Sequence, residues 1–433
     1  MYQLAEKLFP ICRSITGNGV RQTLQILKEE YGKMNIHEVP SGTQVFDWII
    51  PKEWNIKDAY IEDSKGNRVI DFKKHNLHVV GYSLPMDCHM SLDELNKIIY
   101  TQPEQPDVIP YVTSYYKERS GFCMSENQKK SLQKDIYHCV IDSELKDGSL
   151  TYGEIIIPGK TKQEILLSTY ICHPSMANNE VSGPVLAIEL AKWISLLEKR
   201  RYTYRIIFVP ETIGSITYLS RNLDVMKKNT VAGFVLSCVG DDKTYSYVES
   251  KYADTLTDKL IKNVLSFHYP KYKCYNFLQR GSDERQYNAP GIDLPVCAVS
   301  RSKYGEFPEY HTSDDNLNLI SEEGLQGMFC FMQKCIRALE YNYYYKVNCF
   351  CEPQLGKRGL YPTISQKGIY DEVRIMTNFI TYADGTNDLI DISNRIGIDT
   401  EVLRDIVDKL FVKGLIKYNS KKEDIKKLKH VGF

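Results

Sequence analysis

The sequence has few of the features that mark a membrane protein, a secreted protein or a nucleic-acid-binding protein. Its 55 lysines and arginines balance 55 aspartates and glutamates, so no net charge draws it to an anionic partner. No apolar run approaches the roughly 18 residues that cross a bilayer. The first apolar run contains Glu6 and Lys7, which argues against a secretory signal. We therefore expect a cytoplasmic protein with no membrane partner.

Paired cysteine motifs are also missing. The twelve cysteines occur singly, without a CxxC pair, and the closest two are Cys349 and Cys351. A disulfide framework is therefore not predicted, and most of these thiols are expected to be small buried hydrophobic groups in a reducing compartment. At 433 residues the chain is long enough for two or three domains.

The most informative stretch is 165–191, which reads ILLSTYICHPSMANNEVSGPVLAIELA. Its apolar start is typical of a strand, and the helix that follows opens at a Ser-Gly pair with Pro184 just inside. The loop between them contains His173, one of only nine histidines, followed by two asparagines and Glu180. Ligands of open α/β sheets bind beyond the carboxyl ends of strands, so this loop is the predicted centre of a site.

The first third of the chain changes pattern after residue 38. Residues 1 to 38 have helical spacing, whereas residues 40–132 contain short strand-like runs separated by turns, and then a proline-rich stretch. We interpret residues 40–132 as an inserted β-rich domain. The runs 135–141 and 149–157 flank a Lys-Asp-Gly turn and are predicted to form an edge hairpin of the main sheet.

From residue 165 onward, strands and helices alternate. The predicted elements are, in order, a strand at 204–209, a helix from 213, a strand at 233–239, a helix at 253–267, a strand at 294–299 and a helix at 317–339. This order is typical of an α/β fold with a mainly parallel mixed sheet flanked by helices. We assign residues 1–39 and 133–350 to this domain.

The last segment, residues 355–433, has the pattern of a winged helix. Helices are predicted at 372–380, 389–396 and 400–412, followed by a wing strand at 414–418. The third helix carries both basic and acidic side chains in balance, which suits a packing or dimerisation module better than a DNA-reading helix. We therefore expect no nucleic-acid partner and leave a homo-oligomer open.

Three loops at strand ends carry side chains that could act in catalysis. The first holds His173 and Asn179, the second holds Glu211, and the third holds His311. Two histidines and an acidic group at strand ends are what an open zinc site requires, and a carboxylate beside the metal could accept a proton from water. Each residue alone would more often be structural, as a hydrogen-bonding histidine or a helix-capping glutamate. Their equivalent positions in the topology favour a site.

A fourth loop, QRGSDERQY, carries Asp283. It could be a wall of the same cleft. It could equally be a solvated charged turn with internal ion pairs, which are common and weak. The residues alone do not decide between these two alternatives.

Four motifs together resemble those of the M28-like zinc aminopeptidase superfamily. They are CHPSMANNEVSGP, PETIGS, GSDERQY and EYHTSDDN. Within it, the chain is similar to a bacterial branch of aminopeptidase-like proteins of unknown function, in which a β-rich insert interrupts the peptidase-like domain and a winged helix follows. The opening LFPICRSITGNGVRQTL also resembles that branch. The resemblance therefore implies the same three-part, zinc-aminopeptidase-like layout over nearly the whole chain.

The resemblance also implies roles for individual residues. His173 and His311 match metal-binding histidines of the superfamily, whereas Asn179 stands where its bridging aspartate is found. Glu211 is followed by Thr212 where the superfamily has two adjacent glutamates, so one carboxylate is available for two roles. The strand end that should carry a further aspartate ligand has serine and cysteine. Zinc is the implied cofactor, as one ion, two ions or a site that has lost its metal.

We predict a metal-dependent, aminopeptidase-like hydrolase that cleaves an amide at the amino end of a small peptide or of a modified amino acid or sugar. Glu211 is the predicted base, and Asp283, Arg301, Tyr304 and Tyr310 are predicted to bind substrate. The alternative is a catalytically degenerate protein that binds a peptide or metabolite and is coupled to the winged helix as an interaction module. A DNA-binding regulator is a third hypothesis, which the charge balance disfavours.

Overall fold

The computed structural model describes residues 1–361 and 371–419. The strands are β1 (Asn35–Pro40), β2 (Gln44–Val45), β3 (Trp48–Ile49), β4 (Glu53–Glu62), β5 (Arg68–Asp71), β6 (Met86–Ser91), β7 (Ile99–Tyr100), β8 (Phe122–Cys123), β9 (Ile136–Lys146), β10 (Ser149–Ile157), β11 (Glu164–Tyr170), β12 (Thr203–Val209), β13 (Thr230–Leu236), β14 (Ser246–Val248), β15 (Lys273–Tyr275), β16 (Val296–Ser300), β17 (Tyr344–Val347), β18 (Asp384–Asp388) and β19 (Ile416–Tyr418). The α-helices are α1 (Tyr2–Leu8), α2 (Asn18–Tyr31), α3 (Leu92–Leu95), α4 (Glu126–Ser131), α5 (Ser182–Ser195), α6 (Ile213–Asn229), α7 (Leu256–His268), α8 (Glu284–Tyr287), α9 (Glu322–Tyr341), α10 (Asp371–Tyr382), α11 (Leu389–Ile396) and α12 (Thr400–Val412). None of the helices in these two ranges combines the length and the apolar character that crossing a bilayer requires.

The chain forms two compact units. The first comprises residues 1–253 and 273–329, and the second comprises residues 254–272 together with the chain from residue 330. The large sheet and the whole segment 40–132 lie in the first unit. The finer division into 1–39 with 133–350, an insert at 40–132 and a last domain at 355–433 stays a proposal.

An eight-stranded mixed sheet organises the first unit, in the order β1-β10-β12-β11-β13-β16-β14-β15. The four strands β12, β11, β13 and β16 run parallel to their neighbours, whereas β1, β10 and β14 make antiparallel pairs towards the edges. Every residue of β11 is buried, as in a central parallel strand that is covered on both faces. The predicted α/β fold with a mainly parallel mixed sheet flanked by helices is confirmed.

Two predictions near the edge of this sheet are wrong. Residues 35–40 do not continue the helical pattern of the amino terminus, because they pair antiparallel with β10 as the edge strand β1. β9 and β10 do not form a hairpin, since β9 pairs with β4 and β6 in a separate sheet. Burial explains the difference: β9 alternates buried and exposed positions over much of its length, whereas β10 is almost continuously buried and suits the interior of the main sheet.

The inserted segment is built around a four-stranded antiparallel sheet in the order β5-β4-β9-β6. Its inner face shares a hydrophobic core with the main sheet, since Ile61 and Ile141 belong to the same buried cluster as Leu166 and Val209. The proline-rich stretch then crosses the strand ends of the main sheet. There the backbone N–H of Tyr111 donates to the carbonyl oxygen of residue 311 at 2.9 Å. The insert is therefore bonded to the edge of the sheet at which the predicted site lies.

The second unit contains the winged helix. Helices α10, α11 and α12 pack around a core that includes Phe379, Leu403 and Leu410, and β17, β18 and β19 form a small antiparallel sheet. The three predicted helices, the turn at Gly397 (φ 66°) and the wing strand are confirmed. Residues 362–370 and 420–433 of the predicted domain lie outside the described residues.

Candidate active site

The loops that follow three parallel strands meet at one edge of the main sheet. His173 follows β11, Glu211 follows β12, and His311 lies in the loop after β16. They lie in the wall of a cavity of about 320 Å³, a volume near the lower end of the range for ligand sites. The described residues of the lining are Ile15, Trp48, Tyr111, Thr113, Tyr115, Tyr116, Cys172, His173, Glu211, Thr212, Ile213, Arg285 and His311.

His173 is held in one orientation by a buried ion pair. Its Nδ1 lies 2.9 Å from Oε2 of Glu180, and Oε1 of Glu180 lies 3.4 Å from Nε of Arg13. Arg13 Nε also donates to the carbonyl oxygen of His173 at 3.0 Å. Burial lowers the pKa of His173 to about 3, with the charge of Arg13 as a second cause, so the ring is neutral. With Nδ1 bonded to a carboxylate, Nε2 keeps its lone pair for the cavity.

Glu211 faces His173 from the neighbouring strand. Its Oε2 lies 3.6 Å from Nε2 of His173, and its Oε1 accepts a hydrogen bond from Oγ of Ser282 at 2.9 Å. Burial is the largest cause, and the nearby Asp283 the second, of a rise in the pKa of Glu211 to about 8. A carboxyl group whose pKa lies near neutrality can take up and return a proton at physiological pH.

His311 completes the group from the third loop. Its ring stacks on Tyr310 with centroids 3.9 Å apart, and the centroid of His173 lies 5.3 Å away. Burial, together with His173, lowers the pKa of His311 to about 3. Its Nε2 is buried and has no hydrogen-bond partner among the described residues. A buried ring nitrogen without a partner is costly, which indicates that the site is built to bind a further group there.

Strained backbone is concentrated at the same strand ends. Ser175, Thr212, Cys238 and His311 have φ angles of 47°, 63°, 53° and 56°. They lie in the loops that follow β11, β12, β13 and β16 respectively. A residue with a side chain costs about 1 to 3 kcal/mol in such a conformation, and strain of this kind persists where the surrounding fold imposes it, often at functional sites.

Asn179 lies outside the described lining of the cavity. Its Oδ1 accepts a hydrogen bond from the hydroxyl of Tyr170 at 2.9 Å, and its Nδ2 lies 3.6 Å from the sulfur of Met176. The serine at the end of the next strand, Ser237, is also bonded to the Tyr170 hydroxyl. The amide of Asn179 is therefore used in the core beneath the site, and the predicted bridging position offers the cavity no oxygen.

The four residues predicted to bind substrate, Asp283, Arg301, Tyr304 and Tyr310, are likewise absent from the described lining. Asp283 accepts a hydrogen bond from the backbone N–H of Thr212 at 2.8 Å. Tyr304 donates to the carboxylate of a neighbouring glutamate, Arg301 lies over a tyrosine ring, and Tyr310 stacks on the ring of the following histidine. The structure thus places these four residues around the cavity as supports of its wall.

Sequence reasoning missed the side chains that shape the cavity most. The loop QRGSDERQY does contribute to the wall, but through Arg285 and Ser282. Four aromatic side chains of the inserted segment form another part of the lining: Trp48, Tyr111, Tyr115 and Tyr116. Arg13 was quoted in the opening motif without a role, and its signal was an arginine in an otherwise apolar and small-residue stretch.

The donors in the cavity fit one zinc ion. Two neutral imidazoles and one carboxylate form the open type of zinc site, and the 3.6 Å between His173 Nε2 and Glu211 Oε2 is close to the roughly 3.4 Å that tetrahedral coordination with bonds near 2.1 Å implies. The unpartnered Nε2 of His311 supplies the third donor. A second ion does not fit, because Asn179 and Thr212 stand where a second ion would need carboxylates.

Two further groups of ligand-type side chains occur in the described part of the chain. Their ligand atoms lie within 4.8 Å of one another in Cys172, His173 and Glu180, and in a second set outside the cavity. In the first set, burial keeps the pKa of the Cys172 thiol well above its usual range, so the sulfur is a protonated, poor ligand. Glu180 is bonded to the other nitrogen of His173. This set therefore supports His173 from behind.

The chain has clear relatives among known proteins. A family profile described as a domain of unknown function, DUF4910, matches residues 2–342, and a winged helix-turn-helix profile matches residues 343–418. A curated protein of Clostridium acetobutylicum is 48% identical over 420 residues, which cover 96% of each chain. Its name describes it, provisionally, as a polysaccharide biosynthesis protein with an aminopeptidase-like domain.

Solved structures agree with this relationship. A crystal structure from Clostridium acetobutylicum, provisionally described as a peptidase, is similar with a TM-score of 0.91 and 47% identity, covering 96% of this chain and 95% of that one. A zinc aminopeptidase from Bacillus subtilis is similar with a TM-score of 0.57 and 12% identity, covering 78% and 93%. This second likeness concerns the fold, and it confirms the resemblance to the zinc aminopeptidase superfamily.

Proposed function

The chain belongs to the DUF4910 family, and on that premise we propose that it is a zinc-dependent, aminopeptidase-like hydrolase of the cytoplasm that cleaves a small amide. The single observation that carries the proposal is the convergence of His173, Glu211 and the unpartnered Nε2 of His311 on one cavity. The proposed substrate has the amide at the amino end of a peptide or of a modified amino acid or sugar. The name of the Clostridium acetobutylicum relative, which mentions polysaccharide biosynthesis, supports the inclusion of amide-bearing sugars.

Each residue has a role in this mechanism. His173 and His311 would hold the ion through Nε2, and Glu211 would add Oε2. When bound, zinc supplies Lewis acidity that polarises the amide carbonyl and makes water ionise near neutral pH. Glu211 Oε1, which Ser282 Oγ holds at 2.9 Å, takes the proton from the attacking water and returns it to the leaving nitrogen. Glu180 fixes the tautomer of His173.

A second candidate function has its own support. Asn179 and Thr212 occupy positions at which the superfamily carries acidic residues, and both are engaged in internal hydrogen bonds. A site with fewer carboxylates binds metal more weakly. The alternative is therefore a protein that has lost catalysis, binds a peptide or metabolite in the cavity, and uses its winged helix as an interaction module.

Metal content separates the two candidates. Protein purified without chelator, then loaded with zinc and desalted, is expected to retain about one zinc ion per chain by elemental analysis. His173→Ala and His311→Ala are each expected to lose it. The matched control is His78→Ala, because His78 is a buried histidine outside the cavity that is bonded to the carbonyl oxygen of Cys123 at 2.8 Å. Absence of zinc from the unaltered protein after loading would overturn the hydrolase proposal and leave the binding protein.

A further inference from the structure

Arg285 has more hydrogen-bond donors than the protein uses. Its guanidinium lies in the wall of the cavity, where Nη2 donates to Oγ1 of Thr212 at 2.5 Å. Its Nε is buried and has no acceptor among the described residues. A guanidinium carries five N–H donors in a fork that matches a carboxylate. Most of that fork is therefore available to a bound molecule.

The neighbouring carboxylates do not use these donors. Glu211 is bonded to Ser282, and Asp283 accepts from Thr212 N–H and Ser215 Oγ, each at 2.8 Å. Glu284 accepts from a backbone N–H and from a tyrosine hydroxyl. In residues 1–361 and 371–419, none of the ion pairs of 4.0 Å or less involves Arg285. The positive charge of Arg285 is thus placed beside the cavity without being paired.

The aromatic side chains of the insert provide the rest of the recognition surface. Trp48 and Tyr116 meet edge to face with centroids 5.5 Å apart, and the hydroxyls of Tyr111 and Tyr115 are 2.6 Å apart. Together they offer ring faces and hydroxyls to a ligand of about amino-acid or monosaccharide size. Apart from Glu211, no carboxylate occurs in the described lining, so a free ammonium group would meet Arg285 and few acceptors.

We propose that Arg285 binds a carboxylate of the substrate, so that the site takes an N-acylated, carboxylate-bearing compound in preference to one with a free amino end. The inference rests on the proposed function, because it names the substrate class of the same cavity. One guanidinium balances one negative charge, which favours a carboxylate. The ring or apolar part of the compound packs on the aromatic wall, and its amide lies towards His173 and Glu211.

Three probes of nearly equal shape test the charge preference by titration calorimetry. N-acetyl-L-phenylalanine is an anion, N-acetyl-L-phenylalanine amide is neutral, and L-phenylalanine amide is a cation. We expect the anion to bind at least tenfold more tightly than the neutral amide, and the cation to bind most weakly. The order should persist in protein treated with a chelator, because Arg285 and not a metal ion supplies it.

Substitutions at one position then assign the preference. Arg285→Met should reduce the anion to the affinity of the neutral amide without changing the neutral amide itself, and Arg285→Lys should keep part of the preference. Arg280→Met is the matched control, since Arg280 is exposed in the same loop. Tightest binding of the cation, no detectable binding of the anion, or an unchanged preference in Arg285→Met would each overturn the inference. These outcomes are independent of zinc content, so failure of the hydrolase proposal is recognised separately.

Discussion

Arg13 and Glu180 form a buried ion pair whose partner is the imidazole of His173. Both side chains are 1% exposed, and Nη2 of Arg13 has no hydrogen-bond partner among the described residues. Burial raises the pKa of Glu180 to about 8, and the charge of Arg13 opposes that rise. A pair of this kind contributes little net stability, but removal of one member leaves the other unpaired in a low-dielectric interior.

We expect strong coupling between these two residues. Arg13→Met and Glu180→Gln should each lower the free energy of unfolding by about 3 kcal/mol, whereas the double variant should lose clearly less than the sum. Chemical denaturation of the four proteins in one double-mutant cycle measures the coupling. Additive losses within about 0.5 kcal/mol would contradict the ion-pair interpretation.

The helix α5 lies tightly against two strands at its first turn. An added methyl group at Gly183 would meet Thr169 Oγ1 and lie 2.5 Å from the carbonyl oxygen of Leu236. Thr169 Oγ1 also donates to that carbonyl oxygen at 3.0 Å. Because both neighbours belong to the ends of central strands, neither can move without disturbing the sheet. The approach of α5 sets the position of the loop that carries His173.

Gly183→Ala is therefore expected to destabilise the fold by about 3 kcal/mol through overpacking. Thermal or chemical unfolding measures the loss. Gly81→Ala is the control, since its added methyl group would have no atom nearer than 3.5 Å. Equal stability of the two variants would mean that α5 can shift relative to the strands.

The link between α2 and β4 makes stability depend on acid pH. Arg21 donates to both carboxylate oxygens of Glu53, at 2.8 and 2.5 Å, and this bonding is the largest cause that lowers the pKa of Glu53 to about 2. The carboxylate therefore stabilises the folded state above the unfolded pKa near 4.5, and that contribution is lost as pH falls towards 2.

Glu53→Gln should lower the free energy of unfolding by about 1 to 2 kcal/mol at pH 7, a range that allows for the partial exposure of Arg21. The difference from the unaltered protein should shrink as pH falls from 4.5 to 2, which denaturation at several pH values would measure. Glu38→Gln is the control, because Glu38 also contacts Arg21 at 2.9 Å but is 53% exposed. A difference that is constant with pH would refute the assignment.

At the scale of the whole molecule, the winged helix poses the question of a nucleic-acid partner. Its third helix, α12, contains Arg404, Lys409 and Lys413 together with Glu401, Asp405 and Asp408. Lys409 pairs with Glu372 on α10, and Glu401 pairs with Lys334. The basic groups are thus balanced by acidic neighbours, and the whole chain has a net charge of zero.

We expect duplex DNA to bind the full chain more weakly than about 1 µM at physiological salt, with only a shallow dependence on salt concentration. Fluorescence anisotropy with a labelled duplex measures both quantities. Submicromolar binding that falls steeply with salt would show that the domain is a nucleic-acid reader. The same sample, analysed by light scattering, tests the homo-oligomer that the charge balance leaves open.

The sequence by itself determined the α/β fold, the winged helix and three residues that line the cavity. Alternating strands and helices leave few topologies, and parallel strands end at one edge, so His173, Glu211 and His311 could be placed together from their positions after strands. The helices and the Gly397 turn of the winged helix were predictable because hydrophobic spacing and a left-handed glycine are local signals.

Only the tertiary structure decided which other side chains face the cavity and which serve the core. Arg13 and Tyr111 reach His173 from distant parts of the chain, and no local pattern reports such contacts. Asn179 was predicted as a ligand, yet its amide is bonded to Tyr170, because a buried polar group takes the nearest donor that the fold brings to it. Spacing along a chain fixes which residues share a strand end, whereas packing between elements fixes where each side chain points.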